Sequence, residues 1–264
     1  MAPNWLRELD DVLRGHKADH SLLSRGTAHI QIRPLVVCAI LLGIVYGVFM
    51  GLYAVATRTP PSVVQLVASA LKVPALFFLT LVVTFPSLYV FSALFGVRLG
   101  PADTFRLILV PITVNLAVLA SLGTITGFFT LSTTSYEFMK LLNVFFFGVS
   151  GIIGLRVLLT MLSRLEEAQA PHVAIPQVAA PADGGGTAST SQPAGPTYRA
   201  PKEKSTARLT FQVWVVIYAL VGAQMGWILR PFIGAPDLQF TWFRGREANI
   251  FVDIVRTLGN LLGR

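Results

Sequence analysis

From Pro34 to Ala56 the chain reads PLVVCAILLGIVYGVFMGLYAVA, with no charged side chain, and the run stops at Arg58, Pro60 and Pro61. A helix rises about 1.5 Å per residue, so a stretch of this length covers roughly 30 Å of hydrocarbon. A helix in a water-soluble domain keeps a polar flank, and this one has none. The stretch reads as a transmembrane helix, and it sets the interpretation of everything around it.

Similar runs follow. Ser62 to Leu71 is moderately apolar and leads through Lys72 and Pro74 into the strongly apolar Ala75 to Gly96. The first piece is expected to be an interfacial lead-in helix and the second the span. A third span is expected over Phe105 to Leu131, capped by Asp103 or Thr104, with Pro111 as a kink unless neighbours take up the freed carbonyl. After a loop from Ser132 to Glu137, a fourth covers Phe138 to Leu162, and a fifth covers Leu209 to Leu229. Of the 264 residues, 53% are apolar and 13% charged, where a soluble domain carries roughly a quarter charged residues. Lipid is the main solvent.

The regions between and beyond the spans have their own textures. In residues 1–33, Trp5, Leu6, Leu9, Val12 and Leu13 recur at helical spacing opposite Arg7, Glu8, Asp10 and Asp11, which predicts a short amphipathic helix. The early apolar stretch of a cleavable signal peptide is not among these residues, so the first span is expected to direct insertion itself. Ala168 to Ser205 is rich in Ala, Pro, Gly, Ser and Thr, a composition that does not bury enough apolar surface to offset ordering, and a disordered loop is expected there. In the tail, Phe251, Ile254, Val255, Leu258, Leu261 and Leu262 form one stripe against Arg246, Glu247, Asp253, Arg256 and Asn260. That pattern predicts a second amphipathic helix lying on the membrane.

The expected organisation is an all-α, polytopic helical membrane protein with about five transmembrane helices and an amphipathic helix at each end. Residues 1–33 form a cytoplasmic segment, 34–164 the first four spans, 165–207 the loop, 208–230 the fifth span and 231–264 an interfacial tail. Most of the 21 Lys and Arg residues fall on the side holding the N-terminus, by this count of spans, and that side is therefore cytoplasmic. The net charge of +8 is scattered at the ends of apolar runs, which fits anionic headgroups and not nucleic acid.

Candidate functional residues are of three kinds. Gly43, Gly47 and Gly51 recur every fourth position in the first span, and Gly222 with Gly226 does so in the fifth; such faces let helix backbones approach closely. These faces are expected to serve packing within the chain for the most part, and the first span is the one expected to make an additional contact with another chain. Asn115, Thr80 and Thr84 make a modestly polar midplane that a passive pathway could use. Trp5, Trp227, Arg230 and Trp242 are expected interfacial anchors.

Catalytic patterns are sparse. Gly148-Val-Ser-Gly151 resembles the nucleophile motif of rhomboid intramembrane proteases, but His16, His20, His29 and His172 all lie outside the spans, where none can serve Ser150 as a base. No phosphate loop, zinc-protease signature or metal spacing occurs, and Cys38 is the single cysteine. No cofactor is expected, and the interiors of the spans hold no Asp or Glu for proton- or cation-coupled transport.

Five spans, a polar N-terminal region and the Arg230-Pro-Phe-Ile-Gly234 exit resemble uncharacterised bacterial membrane proteins related to the Yip1-type five-helix group. The Asp-Leu-Tyr-Gly-Pro motif of the eukaryotic members has no counterpart here. The resemblance implies a non-enzymatic membrane organiser and carries over no site residues. The expected role is an accessory subunit or assembly factor of the bacterial inner membrane, binding lipid, other integral membrane proteins or itself. The second expectation is a homo-oligomeric channel or passive transporter.

Overall fold

The computed structural model describes residues 10, 32–94, 101–169, 204–234, 240–243 and 250–263. The described residues form six helices and no strand: α1 (Ile32–Thr57), α2 (Val63–Leu94), α3 (Pro101–Ser132), α4 (Tyr136–Gln169), α5 (Lys204–Leu229) and α6 (Ile250–Leu262). Four stretches, Ile32–Thr57, Val63–Ser87, Thr104–Ser132 and Tyr136–Met161, are long and apolar enough to cross a membrane. The protein is an all-α integral membrane protein, built this way because a helix satisfies its own amide groups where no water can.

Asp10 is helical, while Trp5 and the rest of the expected N-terminal amphipathic helix lie outside the described residues. So does the centre of the expected loop, from 170 to 203. Its edges are helical instead: α4 runs on to Gln169 and α5 begins at Lys204.

The expected break ahead of the second span is not there. A single helix passes through Lys72, Pro74 and Pro86. Each proline removes one backbone hydrogen bond, whereas a break in hydrocarbon would strand several donors and acceptors at once. Pro74 also fits its surroundings, because it packs against Gly43 of α1, where an added Cβ would lie 3.0 Å from the proline ring. α3 likewise continues through Pro111 and starts at Pro101, a first-turn position whose N–H no helix bond needs. Asp103 and Thr104 therefore sit inside the first turn and not at its cap. The α3–α4 loop shortens to 133–135, where Ser135 Oγ accepts from the Phe138 amide at 3.3 Å. Ser62 Oγ does the same for the Gln65 amide at 3.4 Å, and both are N-caps.

α1 is the central strut, packed along α2 on one side and α3 on the other; α5 lies against α2 and α4 against α3. Two glycine surfaces make these crossings close. On one face of α1, a Cβ on Gly47 would stand 2.5 Å from Ser69 O and one on Gly51 2.7 Å from Leu66 Cα, both on α2. On the other, Phe49 of α1 seats its ring against Gly123 and Gly127 of α3, where added Cβ atoms would come within 2.6 and 3.0 Å. The core between the helices is apolar, with Tyr46, Tyr53, Leu81, Leu116 and Met139 fully or almost fully buried. A cross-bundle polar link runs from the Tyr46 hydroxyl to Asn143 Oδ1 at 2.7 Å, and Asn143 Nδ2 donates onward to Met139 O.

Candidate functional site

Three polar residues of α2, Gln65, Ser69 and Lys72, stand at positions i, i+4 and i+7 and so share one face of the helix. All three are buried, Lys72 at 4% exposure. Opposite them the chain leaves α5 through Arg230-Pro231-Phe232-Ile233-Gly234. Gln65 Nε2 donates to Pro231 O at 3.1 Å and to Phe232 O at 3.0 Å, and Ser69 Oγ also donates to Phe232 O. Lys72 Nζ donates to Pro231 O at 3.1 Å and to Trp242 O at 2.6 Å, with the Phe243 ring 5.4 Å from its nitrogen. The turn closes at Gly234, whose φ of +76° favours a residue without Cβ and whose backbone presses on Gln65.

This cluster explains how a lysine and a glutamine are held inside a membrane-spanning helix. An ammonium group taken from water needs compensating acceptors, and backbone carbonyls of a non-helical turn are free to supply them. The arrangement is a polar clasp between the start of α2 and the exit of α5. Among the described residues no group of three His, Cys, Asp or Glu could hold a metal ion.

A second clasp lies at the same end of the bundle. Lys140, in the second turn of α4, pairs with Asp253 of α6 and donates to Thr257 Oγ1 at 2.9 Å. Beside it, Tyr53 of α1 donates to Thr134 O in the α3–α4 loop at 2.6 Å. Lysines from two spans therefore each hold a different part of the C-terminal tail.

The residues singled out from the sequence divide by location. Gly43, Gly47 and Gly51 face α2 within the chain, so this glycine surface is filled by α2. Gly222 and Gly226 turn toward Thr80 and Leu76 of α2, where an added Cβ would lie at ordinary van der Waals distances of 3.6 and 3.9 Å. Thr80 and Thr84 are buried on that α5-facing side; their hydroxyls donate to Leu76 O and Thr80 O of their own helix, and Trp214 Nε1 donates to Thr84 O at 3.3 Å. Asn115 lies instead on α3 beneath Gly154 of α4. α2 and α3 touch only weakly, so the three polar residues are not brought together around a shared pathway.

Of the expected anchors, Trp227 is buried at 8% exposure under the Arg230 guanidinium, which lies 3.5 Å from its ring. Trp242 is half exposed. Ser150 is buried and donates to Phe147 O in its own helix, and the four histidines lie outside the described residues. Sequence reasoning missed Gln65, Ser69, Lys72 and Asn143. The polar stripe in α2 was the available signal, since three polar residues on one side of an apolar helix need acceptors somewhere. No protein-family model, curated protein or solved structure matches the chain.

Proposed function

We propose that this is a five-span, non-catalytic membrane protein that works by packing its helices against other membrane proteins, as an accessory subunit or assembly factor. The observation that carries this reading is the outward face of α4. A Cβ added at Gly148 or Gly151 would meet no neighbouring group within 4 Å, Phe145 and Ile152 beside them are 62% and 56% exposed, and α4 is the least enclosed of the four apolar spans. Elsewhere in the bundle comparable small-residue faces are filled by a neighbouring helix; this one is open, and close helix approach in lipid depends on such faces.

Several features support the remaining parts of the proposal. α5 runs antiparallel to α2 from the level of Thr84, beside Trp214, to the level of Gln65, beside Pro231. That is about 28 Å at 1.5 Å per residue, which favours a fifth crossing. The Lys and Arg distribution then favours an N-terminus and an α4–α5 connection in the cytoplasm and a tail outside it, as in a bacterial inner membrane. Kinship with the Yip1-type five-helix group belongs to the same proposal, which calls for no cofactor and no nucleic acid.

A photo-crosslinking residue at Ile152, introduced in native membranes, tests the reading. The expected result is a discrete adduct with another membrane protein that is lost in G148L and G151L, and is absent when the probe sits at Val83, an exposed position on α2. No adduct at Ile152, with a lone monomer after gentle solubilisation, overturns it.

A further inference from the structure

An amphipathic helix that docks on its own protein ordinarily buries its apolar stripe, and α6 does the reverse. Its buried residue is Thr257, and its single carboxylate, Asp253, turns inward to Lys140. Phe251, Val255, Leu258 and Leu262 are 49%, 69%, 46% and 76% exposed. The helix is thus gripped along its polar edge while its apolar stripe points away from the bundle.

What covers that stripe follows from where the grip is. Lys140 lies one helical turn before Val144 and Phe145, where the exposed apolar belt of α4 begins, so the stripe of α6 stands at the margin of the surface that lipid already covers on α4. Trp242 and Phe243, held by Lys72, are half exposed, and Val64 and Val67 in the first turns of α2 are exposed as well. Charge agrees. With Asp253 neutralised by Lys140, the exposed Arg256 is left as the uncompensated charge of α6, which suits a headgroup phosphate.

We propose that α6, together with Trp242 and Phe243, is a lipid-docking element lying in the membrane interface at the tail end of the bundle, with its apolar stripe among acyl chains and its rotation set by the Lys140 grip. The proposal rests on the chain residing in a bilayer and does not require a partner on α4, so the two fail separately.

The experiment uses the full chain in phosphatidylcholine–phosphatidylglycerol vesicles, with a spin label on L258C or N260C. The native Cys38 is fully buried, so it is either retained or replaced by alanine. At Leu258, collisions with oxygen are expected to exceed those with a water-soluble nickel chelate severalfold, and at Asn260 the preference reverses. In K140M the contrast between the two positions collapses, while a label at Val83 in the span keeps its lipid signature. Nickel-chelate collisions dominating at Leu258 put the stripe in water and overturn the proposal. Low collision rates with both reagents mean that a second copy covers it and overturn it equally. Full contrast surviving in K140M removes Lys140 as the element that sets the rotation.

Discussion

Lys72 Nζ donates a 2.6 Å hydrogen bond to the carbonyl oxygen of Trp242, joining two residues 170 positions apart. The bond is made within the second apolar helix by a side chain that a bilayer would otherwise expel. Lys140 does the same for α6. Each lysine satisfies its need for acceptors by fastening a piece of the tail, and the tail gains a fixed place on the bundle in return.

K72M keeps the length of the side chain and removes its donors. The Trp242 carbonyl then loses its bond to Nζ, and such an unmade bond costs about 1–3 kcal/mol. The expected outcome is faster trypsin cleavage after Arg244 and Arg246 in the detergent-solubilised protein, with the helical content of the spans unchanged. Cleavage at the native rate would show that the clasp does not hold the tail.

G47A and G148A should differ in sign although both add one methyl group to a membrane helix. At Gly47 the new Cβ would meet Ser69 O at 2.5 Å and Ala70 Cα at 2.7 Å, forcing α1 and α2 apart at a cost of about 1–3 kcal/mol. At Gly148 it meets nothing within 4 Å, and alanine's helix preference favours the variant by up to about 1 kcal/mol. Thermal unfolding in one detergent compares the pair directly.

Tyr46 and Asn143 test whether the buried polar link acts as a unit. Y46F leaves Asn143 Oδ1 without its donor and N143L leaves the tyrosine hydroxyl without its acceptor; each is expected to destabilise by about 1–3 kcal/mol. The double variant should cost less than the sum, because neither orphan remains. Strict additivity in a double-mutant cycle would mean that the 2.7 Å contact contributes nothing of its own.

The pair of Lys140 with Asp253 is partly solvent-accessible, its side chains being 23% and 27% exposed. Its coupling energy, from K140M, D253N and the double variant, is therefore expected at about 0.5–1 kcal/mol, shrinking as salt rises. The readout is the fraction of chains in which α6 resists proteolysis. A coupling that salt leaves untouched would point to packing at Thr257 in place of charge.

Much of the helical layout could be read locally. The uncharged run from Pro34 to Ala56 lies within α1, and the glycines at 43, 47 and 51 mark a close crossing. Which helix fills that crossing could not be read, because three small residues specify a distance of approach and not the identity of what approaches. Pro74 misled for a related reason. Read alone it is a breaker, but beside Gly43 it is a shaped surface, and that contact joins residues from two different helices. The polar stripe of α2 was visible as a need for acceptors, yet its acceptors are main-chain atoms of a turn near the other end of the chain, whose position no local periodicity encodes. The stripe of α6 was legible as amphipathic, whereas its reversed seating depends on a single lysine in α4.

The clasp at Lys72 also bears on the order in which the molecule can be completed. During synthesis the second helix emerges long before the turn that receives its ammonium and amide groups, so until Pro231 and Trp242 leave the ribosome those groups stay facing whatever the bilayer or a chaperone provides. A chain truncated before that point keeps an unhealed polar scar on its second helix, and a segment made much later is the one that closes it.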